Sequence, residues 1–204
     1  MKTYCILPIF LLCLVSCGTS KKTTETVTST TNQHVNEATL ENFQKSNEQA
    51  NTKPSMENPD ILVGVQHKEA LLQPPFNTWF SSNYSNYNPN EEVVEKLSPL
   101  LKDITIKVFM GTWCGDSKRE TPAFYKILEA ADYDLNNLQL ITVTREKNTP
   151  QGFEKGLDIE RVPTFIFYRD GMEIGRYVEF AQESLEKDML AIFSGKDYKH
   201  SYED

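Results

Sequence analysis

Cys114, within Trp113-Cys114-Gly115-Asp116-Ser117, is the side chain of this sequence best placed to do chemistry. It follows Thr105-Ile106-Lys107-Val108-Phe109-Met110, an alternating run rich in β-branched and aromatic residues that reads as a buried strand. After it, Phe124, Ile127, Leu128 and Ala131 recur at helical spacing along the run from Ser117 to Ala131. A cysteine at such a strand-to-helix junction meets free backbone N–H groups and the positive end of the helix dipole, which favour a thiolate over a thiol. A partly exposed thiolate is a nucleophile toward disulfides, sulfenic acids and glutathionylated thiols. Three residues on, Ser117 offers a hydroxyl that can hydrogen-bond a thiolate but cannot take part in sulfur exchange.

The elements that would hold this cysteine can be read along the chain. Ile61 to Val65 reads as a short strand, the aromatic stretch from Phe76 to Tyr87 as a helix packed on the domain, and Asn90 as the N-cap of a helix running to Leu101, with Glu91 and Glu92 in its first turn. Strands follow at Ile104–Met110 and at Leu138–Val143, then a loop or short helix from Thr149 to Leu157. Thr164–Tyr168 and Glu173–Val178 read as a hairpin around Asp170-Gly171, and Ser184 to Phe193 as a closing helix. This order gives an α/β domain over residues 61–204, with a central mixed sheet and helices on both faces.

Three motifs in this order make the chain similar to the thioredoxin superfamily: Trp113-Cys114-Gly115-Asp116-Ser117, Pro122 inside the following helix, and Val162-Pro163-Thr164-Phe165. The resemblance spans roughly residues 61–195 and implies a three-layer sandwich. It implies that Pro122 kinks the helix, that Pro163 is cis and receives a substrate chain, and that Arg169-Asp170-Gly171 is the turn that follows. The expected catalytic set is Cys114, Ser117 and Pro163, with Trp113, Gly115, Asp116, Val162 and Thr164 contacting substrate. The sequence departs from the family at three places. Its second cysteine is Ser117, its buried acid falls on Val108, and the glycine after its last strand aligns near Glu179. The first two losses remove the resolving sulfur and the usual proton relay.

The amino terminus bears on the compartment. Lys2 precedes an apolar run from Tyr4 to Val15, too short for the ~20 residues a bilayer span needs. A charged start, a short apolar core and small residues outline a secretory signal. Leu14-Val15-Ser16-Cys17 resembles a bacterial lipobox, which implies a signal peptide over residues 1–16, acylation of Cys17 and an envelope protein facing the periplasm or exterior. The alternative is an ordinary signal peptide cut near Ser16 or Gly18. Cys5 and Cys13 fall inside the cleaved segment, so Cys114 becomes the free thiol of the mature chain. Residues 17–60, dominated by Thr, Ser, Asn, Gln, Lys and Glu, read as a disordered tether.

Other site chemistries find little support. His34, His67 and His200 are widely spaced and no second thiolate accompanies them, so no metal site and no cofactor are expected. A net charge of −8 without a basic stripe argues against nucleic acid as a partner. Asp116 and Glu120 fit the first turn of a helix, and Lys118 and Arg119 either steady a thiolate or line a solvated face. Trp79, Tyr84 and Tyr87 read as core packing rather than a docking patch. Expected partners are proteins with thiols or disulfides, small thiols, and the membrane through Cys17. Two functions remain: an envelope-tethered oxidoreductase exchanging thiols and disulfides through one cysteine, or a non-catalytic lipoprotein that keeps the scaffold for binding.

Overall fold

The computed structural model describes residues 61–203, together with Lys45; the expected signal segment, the tether and Cys17 lie outside the described residues. Its elements run β1 (Gly64–Gln66), α1 (Lys68–Leu71), α2 (Asn77–Asn86), α3 (Glu91–Leu97), β2 (Ile104–Met110), α4 (Gly115–Ala130), β3 (Leu138–Thr142), β4 (Thr164–Arg169), β5 (Met172–Val178) and α5 (Leu185–Phe193). The five strands form one sheet in the order β1-β3-β2-β4-β5. β2 lies at its centre, parallel to β3 and antiparallel to β4, so the crossover through α4 joins two neighbouring parallel strands.

Alternation along β2 divides the core. Ile104, Ile106, Val108 and Met110 face one side, where they join residues of every helix, including Leu71, Phe80, Leu97, Phe124 and Met189. An aromatic row tightens this side, with Phe124 stacked on Phe165 at 4.2 Å and Phe165 on Tyr177 at 5.2 Å. Each such pair adds roughly 0.5–1.5 kcal/mol to simple burial. Phe109 faces the other side, with Val65, Ile141, Val143, Val162 and Ile166.

The mixed sheet with its helices and the α/β class follow the expectation; the cover of the Phe109 side, among the described residues, is not helical. Phe153, Leu157 and Ile159 cover the Phe109 side from a segment of turns between β3 and β4. Thr149 organises that segment: its hydroxyl accepts from the Phe153 N–H at 2.9 Å and donates to Glu154 at 2.8 Å. These side-chain bonds offer the backbone a local alternative to a helix. A second departure is smaller. The helix opened by Asn90, whose side chain accepts from the Val93 N–H at 3.1 Å, ends at Leu97 and tightens into a 3₁₀ turn over Ser98–Leu101. Pro99 is the cause, because it lacks the N–H that a continuing α-helix needs. The hairpin turn sits where expected, with φ of 53° at Asp170 and 77° at Gly171, the left-handed pair of a two-residue turn.

Candidate functional site

Cys114 is the N-cap of α4, in extended backbone with φ −88° and ψ 130°. Its carbonyl accepts the Lys118 N–H at 3.1 Å and its N–H donates to the Gly111 carbonyl at 2.9 Å, which fixes the turn between β2 and the helix. The thiol is partly exposed, and it is the free cysteine of the described residues. Across from it, the Val162–Pro163 peptide bond is cis. The Cys114 Sγ lies 3.2 Å from the Val162 carbonyl oxygen, so a thiol there donates to the proline loop. Two segments 48 residues apart are thus brought into hydrogen-bonding contact at the sulfur.

Ser117, unlike Cys114, is out of reach of solvent. It is fully buried, and its hydroxyl oxygen accepts from the Gly111 N–H at 3.2 Å. The expected bond from this hydroxyl to the sulfur is not among its contacts. Val108, where the resemblance would put an acid, is fully buried among apolar side chains.

Trp113 lies beside the sulfur over the second apolar cluster, its indole N–H donating to the Val143 carbonyl at 3.0 Å. Gly111 exists for this ring: a Cβ there would sit 2.5 Å from the Trp113 Cε2. Arg145 covers the ring from outside, 5.4 Å from its centre. Of the other expected contact residues, Gly115 is exposed and Asp116 half-exposed, whereas Val162, Pro163 and Thr164 are buried. The last three therefore offer a ligand backbone rather than side chain. Thr164 secures the loop by donating to the Arg161 carbonyl at 2.7 Å.

The charges flanking the motif pair among themselves. Arg119 bonds Asp116 at 2.8 Å and Glu120 at 2.7 Å, and Lys118 lies over the Trp79 ring at 6.0 Å. None of these contacts reaches the sulfur. Trp79, Tyr84 and Tyr87 pack against the main core, with Tyr87 bonded to the buried Glu186.

Two features escaped the sequence reading. Pro122, buried inside α4, has no N–H for the Lys118 carbonyl four residues back. Asn83 on α2 supplies the donor instead, its side-chain amide 2.9 Å from that carbonyl. The spacing of Pro122 and Lys118 foretells an orphaned carbonyl; nothing in the sequence names its partner. The second feature is the set of contacts made by Glu179, near which the family's glycine aligns. Glu179 adopts φ 64°, its N–H donates to the Pro163 carbonyl at 2.8 Å, and its carboxylate accepts from Arg161 and from the Tyr202 phenol.

Among the described residues no group of three or more His, Cys, Asp or Glu could hold a metal, and no helix is long and apolar enough to cross a membrane.

A family model described as thioredoxin matches residues 77–192. Thioredoxin H9 of Arabidopsis thaliana is 28% identical over 100 residues, covering 48% of this chain and 67% of that protein. A thioredoxin-like protein of Acanthamoeba polyphaga mimivirus is 26% identical over 115 residues, covering 53% of this chain and 81% of the other. Among solved structures, mitochondrial thioredoxin 3 from Saccharomyces cerevisiae aligns at 22% identity with a TM-score of 0.28, over 46% of this chain and 84% of that one.

Proposed function

The chain belongs to the thioredoxin family, and on that premise we propose that it exchanges thiols and disulfides through Cys114 alone. One observation carries this reading: a partly exposed Cys114 sulfur 3.2 Å from the Val162 carbonyl of the proline loop, with Ser117 turned into the core. The Cys114 thiolate attacks one sulfur of a substrate disulfide. A bond forms from Sγ to that sulfur, the original S–S bond breaks, and the second substrate sulfur leaves as a thiolate. A dithiol site would then resolve itself. Here position 117 holds a hydroxyl already engaged by the Gly111 N–H, and Val108 holds no proton. A thiol from outside must therefore attack the mixed disulfide and release Cys114.

The test uses the full chain with Cys5, Cys13 and Cys17 replaced by Ser, so that Cys114 reports. A peptide mixed disulfide with 5-thio-2-nitrobenzoate should release one equivalent of the coloured thiolate and leave the peptide on Cys114 until an outside thiol is added. In the Ser117→Cys variant the peptide should come off without that thiol. A Cys114 that never forms the adduct refutes the proposal and leaves the binding scaffold as the better reading.

The same proposal places the domain on a lipid anchor at Cys17, at the cell envelope. The short apolar run ending at Leu14-Val15-Ser16-Cys17 and the polar segment after it support this. Two acyl chains at ~0.8 kcal/mol per buried methylene anchor a protein stably. Labelled palmitate should enter the wild-type chain and not the Cys17→Ser variant.

A further inference from the structure

The carboxyl-terminal residues that follow α5 turn back toward the proline loop. Tyr198 donates its phenol O–H to the buried Asp188 at 3.0 Å, the Ser201 hydroxyl donates to the Phe180 carbonyl at 2.9 Å, and Tyr202 bonds Glu179. The Arg161 guanidinium lies over the Tyr202 ring at 3.7 Å, and Phe180 meets that ring edge-on at 5.8 Å. Arg161 and Glu179 are both tied to the proline loop itself, one through its carbonyl to Thr164 and the other through its N–H to Pro163. The segment is therefore fastened to the two residues that hold the proline loop.

The attachment is a light one. Tyr202 is 41% exposed and Phe180 44% exposed, and the remaining ties are polar contacts at the surface. Beneath the segment, between it and Arg161, Thr164 and Val178, lies a cavity of about 360 Å³ rather than packed apolar side chains. Cys114 stays partly exposed with the segment in place.

We propose that residues 199–203 form a removable strap that closes the polypeptide-docking ledge beside Pro163 while leaving the Cys114 sulfur open to small disulfides. The chemical step rests on the thiol-exchange reading above. Small disulfides react without disturbing the strap. An extended chain, which needs the ledge next to Pro163, must first displace Tyr202 from Arg161 and Glu179. Its apparent affinity is reduced by the fraction of molecules in which the strap is lifted.

Deleting residues 200–204 tests this and keeps Tyr198 on Asp188; Tyr202→Ala serves as a second variant should the deletion disturb folding. Both are made in the full chain with Cys5, Cys13 and Cys17 replaced by Ser. Two probes share one leaving group: the symmetric disulfide of 5-thio-2-nitrobenzoate, and a decapeptide whose central cysteine carries the same group. One cation–π contact of this kind biases an equilibrium by roughly three- to thirtyfold, so the peptide should react about tenfold faster after the deletion. The small probe should change less than about twofold, since the strap leaves the sulfur open to it. An unchanged peptide rate overturns the strap. A parallel rise for both probes also overturns it, because the segment would then guard the sulfur and not the ledge. A separate measurement removes the dependence on sulfur chemistry: a fluorescent peptide of the same sequence with Ser for its cysteine is titrated onto Cys114→Ser, with and without residues 200–204. Binding about tenfold tighter after deletion supports the strap, and equal binding refutes it. A chain inert to the small probe would sink the exchange reading alone, since the titration still decides the strap.

Discussion

Removing the Asn83 amide should destabilise the protein only while Pro122 is present. The Lys118 carbonyl accepts that amide at 2.9 Å, and the Lys118 N–H in turn holds the Cys114 carbonyl at 3.1 Å. The contact is thus one residue and one hydrogen bond from the reactive residue. Asn83→Ala leaves a partly buried carbonyl without its partner, at a cost of about 1–2 kcal/mol. Alanine's better helix propensity on α2 returns about 0.5 kcal/mol, so the net loss is about 1 kcal/mol. In a Pro122→Ala background the restored N–H at position 122 serves the carbonyl, and Asn83→Ala should then be neutral or slightly stabilising. The double-mutant cycle predicts a coupling of about 1–1.5 kcal/mol. Urea unfolding followed by tryptophan fluorescence measures it, with Asn83→Asp as a control that turns an acceptor toward the carbonyl and should cost more than Asn83→Ala. Equal losses in both backgrounds would refute the idea that Asn83 stands in for the proline's missing donor.

Gly111→Ala places a Cβ 2.5 Å from the Trp113 Cε2, so the indole must leave its bond to the Val143 carbonyl. A stability loss of about 2–3 kcal/mol and a red-shifted tryptophan emission are expected in a urea titration, and an unshifted spectrum would show that the ring does not rest there. The Tyr84 phenol is pushed up from the ordinary 10.0 to about 12, first by its hydrogen bond to Glu129 and then by burial. A raised phenol pKa means that its contribution to stability is complete below pH 10 and fades as the pH rises toward 12. Glu129→Gln should bring one tyrosine transition back toward 10 in an ultraviolet titration, and superimposable curves would refute the assignment.

Local chemistry made the frame of this fold legible. The alternation of Ile104–Met110, the turn at Asp170-Gly171 and the cap at Asn90 each act within a few residues, and each stands where the sequence puts it. What stayed hidden depends on contacts across the chain. The sequence leaves 149–157 as a loop or a short helix, and Thr149 and Glu154 decide for turns, which seat Phe153, Leu157 and Ile159 against β-strand residues more than thirty positions away as well as their near neighbours. Asn83 meets Lys118 across 35 residues, and Tyr202 meets Glu179 across 23. An amide or a phenol in a polar stretch carries no mark of such a partner.

The candidate site shows the same division, and it bears on what a lone thiol can do. Position 117 was legible as a missing sulfur, but not as a hydroxyl committed to the Gly111 N–H beneath the motif. That commitment makes the loss of the second cysteine more than a deletion. The group now at 117 helps hold the turn that presents Cys114, and position 108 contributes a fully buried valine to the main apolar core. Restoring a sulfur alone therefore restores the connection but not the proton handling: Ser117→Cys should resolve its adduct, and do so slowly, until an acid also enters at 108. Such an acid would be buried beside Ile106, Phe124 and Phe165, where a lone carboxylate is several kcal/mol unfavourable. The one-thiol site and the valine at 108 belong together, and a variant that changes either without the other should lose stability or speed.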